Sequence, residues 1–557
     1  MWRRHPRATR RSLLAGSALA LVVGAWLHPA PVIQNLGKTD PIVRAGLMLA
    51  YGDVERAPAQ ELATVEVTIN TERPLHELDA RFVSIALDTS QVLGGRFWSR
   101  SARVDVGRGS DHVQPFDLAR PRLLELARAL APAYLRIGGT EADHVYYSVL
   151  DGAPAEPPPG HELVLGRERW DALADFARAA GFDLYFTVNA GPGARDDSGA
   201  WQPENAATLL AYAAARHDPV AVLELGNELN GYWFIHGLNH QPDGAQYGRD
   251  VASFRDLARR FFPAAKVAGP ANAFFPVVGE PTAWSSGTLR DLLAHAGGAL
   301  DVVSWHYYPQ QSRRCPVATR RAASRQLLNP AHLDEVTRWA GHVESLRDRF
   351  APQAQVWLGE TGNAQCGGEP EISDRFEGGL WWLDQLGALA VRGQPVVIRQ
   401  TLAGSNYGLI DDETLAPTPD YYNTLLWKRL MGKRVLEVSR SAHNPYLRLY
   451  AHCTPSSEGN AAGNVSLLAL NLHPTQPAEL HLDHASPPMT IHELSAPSLS
   501  SRELYLDGRP LDASDSLPAL EGRASELADG RLLLGPTHYA FVQLALDAPA
   551  CRMPWPS

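Results

Sequence analysis

Lysine is nearly absent from this chain. Of its 51 basic residues only Lys38, Lys266, Lys428 and Lys433 are lysine, and the rest are arginine. The arginines do not make the protein basic, because 61 acidic residues leave a formal net charge of −10, which excludes the positive field that nucleic-acid binding needs. Cysteine is scarce too, with four residues and no CxxC pair. His236 and His240 stand four apart without a Glu after the first, so the zinc-protease motif is missing and both read as surface histidines. Neither a metal nor a cofactor is expected. No GxGxxG follows the first candidate strand, which argues against a dinucleotide-binding sheet. The apolar stretch from Leu13 to Leu27 is 15 residues, short of the roughly 20 that a membrane span requires.

What is present is ordinary globular material: 557 residues, 45% hydrophobic and 20% charged, enough for two to four domains of about 100–250 residues. Arg3, Arg4, Arg7, Arg10 and Arg11 precede the Leu13–Leu27 stretch, so residues 1–30 read as an export signal or anchor, with Thr9–Leu14 (TRRSLL) resembling a twin-arginine signal. Residues 31–61 read as a linker. Export to a periplasmic, secreted or membrane-anchored location, from a bacterial source with a GC-rich genome, fits the arginine bias. In an oxidising compartment four cysteines favour disulfides over metal ligation.

From residue 80 onward, short β-branched segments alternate with Ala/Leu/Arg stretches at helical spacing, the signature of βα units. Segments 82–88, 133–138, 183–189, 221–226, 266–270, 301–306, 355–359 and 396–401 read as strands. Eight such units predict an α/β chain with a (β/α)8 barrel over 79–430. After residue 430, alternating segments at 446–452, 464–472, 478–482 and 531–546 predict a β-sandwich over 431–557. Residues 62–78 begin with another alternating segment, LATVEVTIN, and are expected to add a strand to that sandwich.

In such a barrel the chemistry sits at the C-terminal strand ends. Those ends are Asp88, Gly138-Gly139-Thr140, Asn189, Asn227-Glu228, His306-Tyr307-Tyr308, Glu360 and Arg399-Gln400. Glu228 and Glu360, on strands four and seven, face each other across the mouth. Two carboxyl groups about 5–5.5 Å apart cleave a glycosidic bond with retention, one attacking the anomeric carbon and the other protonating the leaving oxygen. Asn227 suits a sugar 2-hydroxyl, and Tyr307 or Tyr308 can hold Glu360 ionised by donating to it. Glu228 needs a raised pKa to act as an acid. The alternative reading makes both glutamates structural, paired to Arg136 or Arg399.

At these residues the chain resembles the heparanases of glycoside hydrolase family 79, within the clan of retaining barrels. The resemblance spans about residue 64 to Cys551. It is carried by 132–143 (PAYLRIGGTEAD), 223–230 (LELGNELN), 304–308 (SWHYY), 356–361 (VWLGET), 397–400 (VIRQ) and 420–428 (DYYNTLLWK). It implies a β-glucuronidase acting on uronic-acid-containing glycans, with Glu228 as acid/base and Glu360 as nucleophile. Asp88, Thr140 and Asn227 match donor-subsite contacts, and His306, Tyr308 and Gln400 join them as candidate substrate contacts. For the uronate carboxylate it implies Tyr407 and backbone amides of the loop holding Gly367 and Gly368.

The departures from the family are also informative. At 157–161 (PPPGH) and 279–286 (GEPTAWSS) the family's heparan-cleaving members carry basic clusters, and this chain has no Lys or Arg. Only about 20 residues separate Tyr147 from Arg167, so no excised linker is expected. Arg313 and Arg314, with Arg320, Arg321 and Arg325, offer a candidate acceptor-side surface, or else a solvated helix face. Ser405 replaces a family glycine and Cys366 enters the glycine loop. Cys453 and Cys551 match a family disulfide, and Cys315 and Cys366, on neighbouring loops after strands six and seven, are expected to form a second. The Gly-rich stretch 190–204 is long enough to wall off one side of the cleft, which would make an exo pocket. Competing readings are a neutral-sugar glycosidase on the same barrel and a non-catalytic glycan-binding surface protein.

Overall fold

The computed structural model describes residues 64–98, 110–275, 279–280, 287–316, 318, 320–455, 463–483, 489–512, 516–525 and 530–552. The export segment, the linker and most of 279–286 lie outside the described residues.

Eight parallel strands close into a barrel: β1 (Val83–Asp88), β2 (Ala133–Gly138), β3 (Phe182–Val188), β4 (Val220–Leu225), β5 (Lys266–Phe274), β6 (Val302–Tyr307), β7 (Gln355–Thr361) and β8 (Val397–Arg399). Closure is made where Val397 of β8 pairs with Val83 of β1. Small and large side chains alternate in the interior, with Ala86, Val222 and Ala268 packed among Tyr134, Tyr185 and Trp357, so the lower barrel is a filled core. The crossover helices follow the 3.6-residue period. In Arg167–Ala180, Trp170, Leu173, Ala174 and Ala177 are wholly buried, and the helix stops at Gly181, whose φ of 76° places it in the left-handed region.

A nine-stranded sheet packs one face on the barrel helices and the other on a four-stranded sheet. The shared apolar core between the sheets includes Val65, Val67, Leu480 and Leu532 on one side and Leu447, Leu467, Ile491 and Val542 on the other. The N-terminal strand Val65–Ile69 runs parallel to Ala478–Leu482 and antiparallel to Val438–Arg440. Segment 531–546, expected as one strand, is two. Arg531–Leu534 pairs with Ala478–Leu482 in the outer sheet, whereas Tyr539–Leu544 pairs with Val465–Asn471 in the inner one. Gly535-Pro536, which cannot continue a central ladder, turns the chain between them.

Helix Phe376–Val391 is apolar on nearly every side because it lies between the barrel and the inner sheet. Gly387 makes the closest approach: a Cβ there would fall 2.3 Å from the Tyr450 ring, and Tyr450 Oη donates to Asp384 at 2.7 Å one turn away. Cys453–Cys551 ties the inner sheet to the C-terminal turn, and Cys315–Cys366 joins the loops after β6 and β7.

Candidate active site

Charged residues inside buried strands need partners, and Arg136 of β2 organises them. Its guanidinium is wholly buried; Nε and Nη2 donate to Glu224 Oε2 at 3.1 and 2.8 Å, Nη1 to Glu360 Oε2 at 2.8 Å, and Nη2 also to Asn227 Oδ1 at 2.9 Å. Glu224 accepts further from Tyr185 Oη at 2.7 Å and Thr187 Oγ1 at 2.9 Å. Gly138 makes room for this arrangement, since a Cβ there would lie 2.7 Å from the guanidinium carbon. Arg399 belongs elsewhere and donates to Asp420 at 2.7 Å.

Glu360, at the end of β7, accepts from Tyr308 Oη at 2.7 Å on its other oxygen. Strand alternation selects this tyrosine: His306 and Tyr308 point inward, and Tyr307 between them points out among Pro309, Leu333 and Trp381. Glu228 follows β4 in a turn with φ 77° at Gly226 and 55° at Glu228 itself. A left-handed glutamate costs on the order of 1–3 kcal/mol, and the turn aims its carboxyl across the mouth. Glu228 Oε1 lies 3.0 Å from His306 Nδ1, and the nearest atoms of Glu228, His306 and Glu360 all fall within 4.8 Å of one another. Burial, then the neighbouring Glu360, pushes the Glu228 carboxyl well above its ordinary range, and burial followed by Arg136 keeps His306 neutral.

Around this pair the other strand-end residues assemble. Asp88 accepts from Ser90 N at 3.0 Å and from Gln400 Nε2 at 3.1 Å; burial, with Glu360 adding, raises it to about 7. Gly139 is required beside it, because a Cβ there would sit 2.3 Å from Asp88 Oδ2. Thr140 opens the 3-10 turn Thr140–His144 and is half-buried. Asn227 is held by Arg136, by Gly139 N at 3.2 Å and through its own N–H to Asp143 Oδ2 at 2.9 Å. Asp143, which sequence reasoning passed over, also accepts from Ala190 N and so fixes the loop after β3.

The loop after β7 meets the loop after β8. Gly367 and Gly368 have φ of 83° and 77°, and a Cβ on Gly367 would strike Ser405 Oγ at 2.3 Å. Ser405 takes φ 53° and donates to Gly367 O at 2.8 Å. Tyr407 is buried against Phe97, Phe275 and Tyr308. The expectation that both glycine amides face a ligand needs correction: Gly368 N donates to Ala364 O at 3.2 Å. Gly367 N–H has no protein acceptor among the described residues.

The five arginines after β6 do not form one acceptor surface. Arg314 is wholly buried and donates to Gly368 O and Asn406 Oδ1, while Arg313 pairs with Glu369 and Arg320 with Glu335. Arg321 and Arg325 are exposed. Arginine in a sequence signals charge but not burial, and Arg314's acceptors lie 54 and 92 residues away. His236, expected at the surface, is half-buried with Nδ1 3.3 Å from His144 Nε2, and burial pulls it down to about 3. His240 is exposed.

Two groups of side chains come close enough for metal ligation among the described residues. In Glu228–His306–Glu360 the Arg136 guanidinium already occupies the cation side of Glu360, and in Glu141–His144–Glu162 an oxygen of Glu141 already bonds His144 Nδ1 at 3.1 Å. The missed residues Glu224 and Tyr185 did leave a signal, since each is a polar group inside a barrel strand, whereas Asp143 lies past β2 in the turn Thr140–His144.

Comparison with known proteins agrees with this geometry. Chicken (Gallus gallus) heparanase is 32% identical over 522 residues, covering 84% of this chain and 93% of that protein. Heparanase-like protein 1 of Arabidopsis thaliana is 31% identical over 439 residues, 75% of each chain. Among solved structures the α-L-arabinofuranosidase of Thermotoga maritima superposes with a TM-score of 0.61 at 14% identity, covering 86% of this chain and 100% of that one, a likeness of fold alone. Residues 64–387 match the family model described as Glycosyl hydrolase family 79, N-terminal domain, and with the relatives' coverage this establishes that the chain belongs to glycosyl hydrolase family 79.

Proposed function

We propose that the protein is a retaining β-glucuronidase acting on uronic-acid-containing glycans. The observation that carries this reading is the approach of Glu228 and Glu360 to within 4.8 Å at the ends of β4 and β7, in opposite electrostatic settings. Inverting enzymes leave roughly 6.5–9.5 Å for a water between their carboxyls, whereas retaining ones do not.

In the first step Glu360, oriented by Arg136 and Tyr308, attacks the anomeric carbon while protonated Glu228 gives its proton to the leaving oxygen. The glycosidic bond breaks and a covalent glycosyl ester forms on Glu360. Glu228, now the base, takes a proton from water, and the water's oxygen displaces Glu360 to regenerate the enzyme. Asn227, with Nδ2 uncommitted to any acceptor among the described residues, supports a contact to the 2-hydroxyl. Asp88, Thr140 and Gln400 line the donor sugar, and Gly367 N–H with the Tyr407 phenol meet its carboxylate. Arg313, exposed in part beside Glu369, remains a candidate acceptor contact.

Export is part of the proposal, supported by the Arg-rich N-terminus and by two disulfides; a bacterial source rests on composition alone, the relatives named above being animal and plant proteins. The test is turnover of an aryl β-glucuronide, the matching β-glucoside and size-defined heparosan. Glucuronide cleavage that Glu360→Gln abolishes supports the reading, trimming from chain ends supports an exo pocket, and silence on every uronide overturns it.

A further inference from the structure

Arg314 presents an imbalance. Its guanidinium is wholly buried, yet its two bonded acceptors, Gly368 O and Asn406 Oδ1, are neutral, and its Nε has no partner. The acids nearby are committed: Glu369 is bound by the Arg313 backbone and side chain, and Asp374 by Arg375 and Arg502. A buried cation without a bonded anion is costly, and burial indeed pulls Arg314 down to about 10.

The two acceptors are each one residue from a proposed uronate contact. Gly368 follows Gly367, the amide without an acceptor, and Asn406 precedes Tyr407. Cys315, next to Arg314, is bridged to Cys366, next to Gly367. One side chain therefore spaces the loop after β7 against the loop after β8 and places a positive charge behind both.

We propose that Arg314 is a positioning residue for uronate specificity, whose missing counter-ion is the carboxylate of the bound sugar. The proposal rests on the glucuronidase reading above. Unlike Gly367 and Tyr407, Arg314 touches no substrate and acts through the two loops and through its field.

The test compares wild type, Arg314→Gln and Arg314→Lys on an aryl β-glucuronide, with thermal unfolding as a check of folding. Gln should raise KM about tenfold or more with a much smaller change in kcat, and Lys, which keeps the charge, should recover a large part of the loss. Unchanged KM in Arg314→Gln, or equal damage in the Lys variant, overturns the proposal, since loss of packing alone would strike both variants and kcat together. If Arg314→Gln does not fold, Asn406→Ala removes one of the two ties, and a KM within twofold of wild type overturns it instead. Wild type inactive on every glucuronide overturns the parent reading and this proposal with it, whereas an active wild type with unchanged KM in Arg314→Gln overturns this proposal alone.

Discussion

Arg136 Nη2 and Glu224 Oε2 are 2.8 Å apart, and neither side chain has any exposed surface. The pair lies directly behind Glu360, so Arg136 is shared between a structural carboxylate and the proposed nucleophile. Glu224 thereby limits how much positive charge Glu360 feels, leaving it oriented without being neutralised by a whole guanidinium.

Removing the shared cation tests this arrangement. Arg136→Met leaves Glu224 and Glu360 buried without their cation, and breaking such a pair from one side costs about 3–5 kcal/mol. Chemical denaturation should record a loss of that size together with lost turnover. Glu224→Gln keeps an acceptor for Arg136 and should cost less stability, but it leaves Glu360 as the sole bonded carboxylate, so kcat should fall more than KM changes. A Glu224→Gln enzyme with normal kcat would mean that the sharing is only structural.

The roles of Glu228 and Glu360 separate by leaving group. Glu228→Ala removes the proton donor, so aryl glucuronides with strongly acidic phenols should retain far more of the first-step rate than those with weakly acidic phenols. Added azide should restore turnover and give a β-glucuronosyl azide, because a small anion fits the vacated space and needs no base. Glu360→Gln should be silent with every leaving group, down by a factor on the order of 10^4 or more. If the two variants respond alike, the assignment of acid and nucleophile fails.

Buried carboxyl groups should cost the fold stability between about pH 4 and pH 7. Burial raises Asp88 to about 7, Asp143 to about 6 and Glu377 to about 7, and raises Glu228 as well. A carboxyl whose folded pKa is raised contributes stability that is fully present below its unfolded value, near 4, and is lost as pH rises through the folded one. Glu77, Asp79 and Glu493 are lowered by paired cations despite burial, and their contribution is lost as pH falls. Buried His236 and His452, pulled down to about 3 and about 4, act in the opposite sense and cost stability as pH falls below about 6.5. The Asp88 contribution is isolated by Asp88→Asn, whose Tm should rise relative to wild type between about pH 4 and pH 7. A difference in Tm between the two proteins that stays constant over that range contradicts this.

Much of the scaffold was legible because the strand pattern is local. The barrel strands begin within a residue or so of the expected positions, since an apolar run between turn residues fixes them without tertiary information. The candidate pair stood out for a related reason: Glu360 lies at the end of β7 and Glu228 just past the end of β4, where polar side chains of a barrel face its mouth. Parity was present but unused, because alternation along β6 assigns Tyr308 and not Tyr307 to the interior. The split of 531–546 lay in Gly535-Pro536. Arg314 and the occupied amide of Gly368 were not legible, because each depends on contacts between loops distant in the chain.

The two disulfides should separate stability from binding. Cys453–Cys551 closes a separation of 98 residues and Cys315–Cys366 one of 51. The chain-entropy model assigns about 4.7 and about 4 kcal/mol to loops of those lengths, so the model predicts similar losses of Tm on replacing either pair with serine. Their surroundings differ. Cys453 lies in the inner sheet, in a core shared with Val465 and Leu544 and remote from Glu360, whereas Cys366 immediately precedes Gly367 and Cys315 immediately follows Arg314. Replacing Cys315 and Cys366 should therefore raise KM for an aryl glucuronide severalfold, while replacing Cys453 and Cys551 lowers Tm with KM unchanged. Equal KM values in the two double variants would show that Arg314, Ser405 and the packing around Tyr407 hold the glycine loop without the bridge.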